Sequence, residues 1–453
     1  MGEAISLGPV RGRARIDVMD VLRGIAILGI LFMNIPFMAT NPAIWMDDVR
    51  RLSWSPLDAT TWAAIDIFWS GTQRGLFEFL FGAGVMVLTA RAMRPEDPVA
   101  VADLYYRRNL LLVAFGLIDI FVIAWVGDIL LAYGLSALFL FPFRKASPKI
   151  LLAMGLGFAA FVAVTGTIGY TGRIEMIDKV EVLEKKQADG VKLGEKDKKT
   201  IAEWQEKRDA HDLSKPPSKD TQDKIKAENE AHAGNPWMFL RNNWTVWNKI
   251  FGDGHGTLFT IVEAVCAMFI GMALWKWGVI QGQRPVRFYA ITAVAAYAVG
   301  CGLRAWNVAE LYTFTLDPKS GWITHEFARL AVTLGHVAFF NLVMKTAAGR
   351  NVLAPFKAVG RMAFSIYVLT SVVTLWLIFA PWGLDLWGKF GWAQLALAAA
   401  VIDVFMLVFA NVWLRYYLSG PLEWVWRSLA YGKRQPFVRH PAEPAAPGTL
   451  APA

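Results

Sequence analysis

The stretch RIDVMDVLRGIAILGILFMNIPF, Arg15–Phe37, decides the fold class. Most of it is an apolar run long enough to cross a hydrocarbon core of about 30 Å. Yet Asp20 and Arg23 sit in its first turns, and Asn34 and Pro36 near its end. At about 100° per residue, Asp20, Arg23 and Asn34 fall within roughly 60° of one another on a helix. An interfacial ion pair with a snorkelling arginine accounts for the two charges. It does not account for the amide that continues the same face. A face lining a hydrated cavity does, with Arg23 offering a planar cation to phosphate groups.

Working outward, such runs recur along most of the 453 residues, of which 55% are hydrophobic. A soluble domain is usually about 45–50% apolar. Ten spans are expected, at 18–38, 61–91, 106–125, 129–143, 149–169, 257–277, 286–306, 325–346, 361–380 and 392–416. The chain reads as an all-α, polytopic transmembrane helix bundle. Its two cysteines, Cys266 and Cys301, lie in apolar runs and predict neither a disulfide nor a zinc site. The formal charge of +9 has no aromatic-interleaved basic patch behind it, so no nucleic-acid partner is expected.

Basic residues fall in every second connection, with Arg11, Arg13 and Arg15 before the first span and Arg427, Lys433 and Arg434 after the tenth. The excess places both termini in the cytoplasm. The expected organisation is a cytoplasmic tail at 1–17, spans one to five at 18–170, a charged non-cytoplasmic insertion at 171–256, spans six to ten at 257–418, and a cytoplasmic segment with a disordered tail at 419–453. The insertion has mixed signs and Glu/Lys at helical spacing, which predicts exposed helices broken near Gly190 and at Pro216–Pro217. It is either a solvated excursion or a lid that docks a partner.

Polar residues inside the apolar runs are the candidate functional groups. The second span carries GTQRG and then Glu78. Arg74 and Glu78 can pair four residues apart, Gln73 adjoins them, and Gly71 and Gly75 predict a kink or break. Asp128 opens the fourth span, where it suits an N-cap, with Tyr133 about one turn deeper. In the eighth span, THEFARLAVTLGHVAFF places His325, Arg329 and His336 within about 40° on one face. A neutral imidazole can take and return a proton near pH 7, and an arginine can hold an anion. His255 and Glu263 flank the sixth span, Arg304 and Asn307 lie near the end of the seventh, and Asp403, inside the tenth, is expected to pair with a cation on another helix. No metal site is predicted.

Four stretches resemble one family: DVLRGIAILGILFMN (Asp20–Asn34), LFEFLFGAGV (Leu76–Val85), GDILLAYGL (Gly127–Leu135), and VGRMAFSIYVLTS (Val359–Ser371) with WLRYYLSGPLEWVWRSL (Trp413–Leu429). In this order they are similar to the YeiB-like bacterial inner-membrane proteins, over nearly the whole chain except the insertion. That family is grouped with the transmembrane acyltransferases. Heparan-type relatives carry a histidine soon after the first span, whereas Thr40–Thr61 has none here, and Asp119 stands where many YeiB-like proteins have His. The resemblance implies a multi-pass inner-membrane bundle that moves an acyl group from cytoplasmic acyl-CoA to a small-molecule or lipid acceptor. On that expectation Arg23, Asp20 and Asn34 bind the donor, His336 or His325 is the base, Arg329 stabilises the oxyanion, and Arg74, Glu78, Gln73, Asp128 and Tyr133 line the cavity. The same residues could instead form a proton relay in a transporter or flippase for an anionic or lipidic compound. Membrane lipids are partners on either reading, and a homo-oligomer is compatible with both.

Overall fold

A computed structural model describes residues 16–90 and 98–439. The expected disordered tail from residue 440, and most of the cytoplasmic tail at 1–17, lie outside the described residues. The helices are α1 (Asp17–Gly29), α2 (Leu31–Ala39), α3 (Pro42–Trp45), α4 (Pro56–Phe68), α5 (Thr72–Thr89), α6 (Pro98–Ile118), α7 (Leu130–Leu138), α8 (Pro148–Ala188), α9 (Glu195–Ala210), α10 (Lys219–Ala233), α11 (Pro236–Phe251), α12 (His255–Lys276), α13 (Val286–Leu311), α14 (Gly321–Met344), α15 (Ala347–Arg361), α16 (Ala363–Val372), α17 (Trp392–Tyr416) and α18 (Pro421–Ala430). Among the described residues there is no β-strand, only an isolated bridge between Tyr417 and Val438.

Among the described residues, six helical stretches are long and apolar enough to cross a membrane: 17–39, 148–188, 255–276, 286–311, 321–344 and 392–416. A seventh is the pair α15 and α16 with its π-turn, bent by 76°. The protein is thus a multi-pass membrane protein with six or seven candidate spans rather than the ten expected. The difference lies in the second, third and fourth runs. The second is divided between α4 and α5 at Gly71, whose φ of 69° no ordinary helical residue adopts. The third, α6 continued by a π-turn at Asp119–Ile123, is long enough but carries Asp103, Arg107 and Arg108 in its first half. The fourth is a nine-residue helix, which rises only about 13 Å.

The bundle has two recognisable ends. The start of α1, the end of α15 and α18 mark a basic end. The insertion covers the other. Helix α8 runs for 41 residues, about 60 Å, so it crosses the bundle and projects through the expected boundary at 170/171. It stops just before Gly190, whose φ is 76°, and α9 and α10 are separated around Pro216–Pro217, where the sequence predicts the breaks. The insertion is docked: Arg50 donates to His211 O, Arg51 to Ala210 O and Asp212 O, and Asn41 to Ile225 O and the Asn229 side chain. The His232 ring stacks on Trp387 at 3.9 Å.

Close packing of α5 on α12 positions the site. A Cβ on Gly82 would fall 2.0 Å from Met268 O, and one on Gly271 would fall 2.1 Å from Phe79 O. Small residues permit this approach where lipid supplies no hydrophobic drive. Gly82→Val or Gly271→Val is therefore expected to lower stability by about 1–3 kcal/mol, read as a lower Tm in detergent. Gly84→Ala, whose new methyl meets nothing within 4 Å, is expected to leave Tm unchanged or slightly raised.

At the insertion end Asp58 ties α4 to α17. Its carboxylate accepts from Ala393 N at 2.9 Å, Ser55 N at 3.0 Å and the hydroxyls of Ser55 and Ser53. Burial pushes this carboxyl up, but the four donors outweigh it and hold its pKa at about 2. A depressed carboxylate stabilises the fold above its unfolded pKa and loses that contribution as pH falls through the folded one. Unfolding followed from pH 5 to pH 2 should show up to about 2 kcal/mol lost below pH 4. Asp58→Asn should be less stable at neutral pH and lack that acid-side loss.

Candidate functional site

The interior charges converge on one guanidinium. Arg329 on α14 donates through Nε and Nη2 to both oxygens of Glu326, at 2.7 Å each. Its Nη1 reaches Glu78 on α5 at 3.0 Å, and its Nη2 lies 3.1 Å from Glu263 on α12. Arg74 shares the same acceptors, bonding Glu263 directly and standing 3.7 Å from Glu78. Glu78, Glu263, Glu326 and Arg329 are each less than a tenth exposed. Gly71 and Gly75 make room: a Cβ on either would press on the Arg329 side chain or Thr333. The predicted break in GTQRG thus serves to admit the α14 arginine.

Two cavities flank this cluster. The outer one, ≈300 Å³, is lined by Asp66, Arg74, Glu263, Arg304, His325, Glu326 and Arg329. Arg304 caps the end of α4, donating to Asp66 O at 2.7 Å and Ser70 O at 2.6 Å. His325 Nδ1 bonds Gly321 O at 3.0 Å, so that nitrogen carries the proton in the neutral ring and Nε2 remains the acceptor.

The inner cavity, ≈340 Å³, opens among α1, α5, α6, α15, α16 and α18. Its interior is apolar, including Ile27, Leu80, Phe81, Leu104 and Leu112. Toward the basic end it carries four arginines, Arg23, Arg108, Arg361 and Arg427, against the carboxylates Asp20 and Glu423. Asp20 binds Arg23 at 3.0 Å. Glu423 is held as a cap on α16, accepting from Phe364 N, Ser365 N and the Ser365 hydroxyl. The Arg108 guanidinium lies over Trp426 at 4.3 Å.

Glu78 joins the two. One oxygen accepts from the hydroxyl of Tyr133, which lines the inner cavity, at 3.3 Å; the other accepts from Arg329, which lines the outer one. A single buried carboxylate therefore separates an amphiphile-shaped chamber from a charged one.

Of the residues expected from sequence, Asp20, Arg23 and Tyr133 line the inner cavity, Arg74, His325 and Arg329 the outer, and Glu78 bridges them. Four depart from expectation. His336 lines neither cavity: Tyr297 OH lies 2.7 Å from Nδ1, and Nε2 meets Phe68 O at 3.1 Å. Both nitrogens of a neutral ring are thereby used. It shares the stripe of Arg329 but lies about 10 Å deeper, where α4 and α13 cover it. Asn34 lines neither cavity: the helical backbone runs on through Ile30, and the amide stands eleven residues, about 16 Å, along the axis from Arg23. Gln73 is buried against Gly29 on α1, with its Oε1 unpartnered. Asp128 is one layer out, capping Leu131 N at 2.7 Å and standing 3.5 Å from the Tyr367 hydroxyl. Asp403 pairs with no cation among the described residues, and its Oδ1 has no partner. Glu326 was overlooked as a site residue although its i,i+3 spacing to Arg329 signalled it. Among the described residues no group of three or more His, Cys, Asp or Glu side chains could hold a metal ion.

Removing Arg329 would leave Glu326 without a cation and would leave Glu78 and Glu263 to share Arg74 alone. Arg329→Met is expected to cost about 3–5 kcal/mol, seen as loss of the folded fraction or a large fall in Tm. Because Glu326 gives both its oxygens to Arg329, Glu326→Gln combined with Arg329→Met should recover part of that loss.

Comparison with known proteins finds relatives that match over nearly the whole chain. Residues 274–433 match the family model described as "Protein of unknown function (DUF418)". "Uncharacterized protein YxaH" of Bacillus subtilis (strain 168) is 29% identical over 96% of this chain and 98% of its own length. "Uncharacterized protein YeiB" of Escherichia coli (strain K12) is 26% identical over 93% and 97%. A Bacillus acidopullulyticus protein, "Uncharacterized 39.9 kDa protein in amylase 3'region", is 23% identical over 95% and 98%. No solved structure matches.

Proposed function

We propose, from the premise that this chain is a YeiB-like protein, that it transfers an acyl group within the bacterial inner membrane, from an acyl-CoA bound at the basic, cytoplasmic end. The observation that carries this reading is the inner cavity: an apolar interior under four arginines, fitting a chain beneath a phosphate-bearing head. The four motifs that link the chain to its family meet there. Asp20 and Arg23 come from the first, Phe77 and Phe81 from the second, Tyr133 from the third, and Arg361, Tyr367 and Glu423 from the fourth.

In this reading the pantetheine arm lies against Phe81 and Leu104, with the thioester near Tyr133. The acceptor, a small molecule or lipid with a free hydroxyl or amine, enters the outer cavity. Its oxygen or nitrogen attacks the acyl carbon, His325 Nε2 takes its proton, and the carbon–sulfur bond breaks. The departing thiolate then takes up a proton, releasing free CoA. Arg74 and Arg329 stabilise negative charge on the carbonyl oxygen. The acyl group crosses at the Tyr133–Glu78 contact.

Protein in lipid nanodiscs, given acyl-CoAs of increasing chain length and a membrane extract as acceptor, should release free CoA and form an acylated product. Arg23→Ala and Arg361→Ala should each raise the donor KM about 10–100-fold, the worth of a charge-assisted contact. His325→Ala should lower kcat with little change in KM. Absence of CoA release at every chain length contradicts the reading. Proton-linked uptake into proteoliposomes by the same preparation would instead support a transporter.

A further inference from the structure

Behind the inner cavity lies a second pair of carboxyls that the acyl-transfer reading does not use. Asp119 opens the π-turn Asp119–Ile123 at the end of α6, and Asp128 precedes α7. Helix α6 passes so close to α7 that a Cβ on Gly116 would fall 2.8 Å from Asp128 Oδ2. Asp119 is one turn beyond Gly116 on the same face, and Asp128 is the titratable side chain that faces it. Asp119 is only 1% exposed, yet neither of its oxygens meets a hydrogen-bond donor.

The backbone is built to hold this arrangement. A π-turn inside an α-helix is uncommon and frequently marks a functional site. This one closes on Ala124, a non-glycine residue at φ 68°. Two indoles clamp its carbonyls: Trp244 Nε1 donates to Phe121 O at 2.9 Å, and Trp376 Nε1 to Ile123 O at 2.8 Å.

Two carboxylates in contact, away from water, cannot both stay ionised. A proton on Asp119 would turn one orphaned oxygen into a donor and satisfy the pair in one step. The surroundings suit a proton better than a metal cation. Leu131 N–H donates to Asp128 at 2.7 Å, and the Tyr367 hydroxyl lies 3.5 Å from its other oxygen. These donors occupy lone pairs that a cation would need. No arginine, lysine or histidine of α6, α11 or α16 forms an ion pair with either aspartate among the described residues, so Asp128 and Tyr367 are the titratable groups that face the site.

We infer that Asp119 and Asp128 form an intramembrane proton-binding site that holds one proton between two carboxyls and exchanges it with the inner cavity through Tyr367. Tyr367 is the link because it lines that cavity while touching Asp128. Its hydroxyl also receives Trp125 Nε1 and Ile129 N, each at 3.1 Å, which fixes it between the two.

The test is infrared spectroscopy of the full chain in nanodiscs, with ¹³C-labelled aspartate to identify aspartic-acid carbonyl bands. Asp403, the other aspartate with a buried, unpartnered oxygen, is replaced by Asn throughout so that it adds no band of its own, and a protonated-aspartate band at neutral pH is expected with Asp119 and Asp128 intact. It should be lost in Asp119→Asn, and also in Asp119→His, where the imidazole brings its own N–H donor and guards against a variant that fails to fold. Tyr367→Phe should keep the band but slow its shift in deuterated water at least tenfold. A band that persists unchanged in both Asp119 variants, or its absence from the Asp403→Asn parent, overturns the assignment. Loss of the band on adding sodium to that parent overturns it too, in favour of a cation site.

Discussion

One guanidinium shared by three buried glutamates is the constraint on which the interior depends. Glu78, Glu263 and Glu326 come from α5, α12 and α14, and Arg329 reaches all three. In a low-dielectric interior each charge is tolerable only while its partners are in place. The α5–α12 contact through Gly82 and Gly271 is thus a requirement of the electrostatics as much as of packing. If those helices separated, the carboxylates would lose the arginines that neutralise them. The cluster therefore couples helix position to charge and makes the centre of the bundle an ordered partition.

The partition gives meaning to what lies on each side. The inner cavity is apolar below and cationic at its mouth, and it is assembled from motifs far apart in sequence. Glu423 on α18 caps α16, Tyr367 on α16 receives the Ile129 amide, and Tyr133 on α7 bonds Glu78 on α5. These contacts tie the second, third and fourth sequence stretches together around one chamber. The outer cavity is polar and presents His325 beside the arginine–glutamate cluster. The arrangement suits chemistry whose two substrates approach from opposite sides.

Much of this was legible in the sequence, for identifiable reasons. All-helical architecture followed from the apolar runs, and the breaks in the insertion from Gly190 and the Pro216–Pro217 pair. The Arg74–Glu78 pair and the interruption at Gly71 are local and could be read directly. Glu263 was visible as a charge but not as a partner of Arg329, because the contact joins helices 66 residues apart in the chain. His336 shows the opposite failure. Periodicity gives the direction of a side chain but not the depth at which a cavity ends, so a residue on the right stripe lies beyond the site. Ten spans were expected and six or seven candidates are found among the described residues because a left-handed glycine divides the second run, Asp103, Arg107 and Arg108 load the helix of the third, and the fourth is only nine residues long.

Acyl transfer by this bundle requires the inner cavity to seat an anionic amphiphile. The most direct measurement is photo-crosslinking of an acyl-CoA analogue bearing a diazirine in its acyl group beside the thioester, followed by mass spectrometric mapping. Labelling of Phe77, Phe81 or Tyr133, abolished by excess unlabelled acyl-CoA, is the predicted result. Labelling confined to the exposed faces of α13 and α17, or unaffected by competitor, would contradict it.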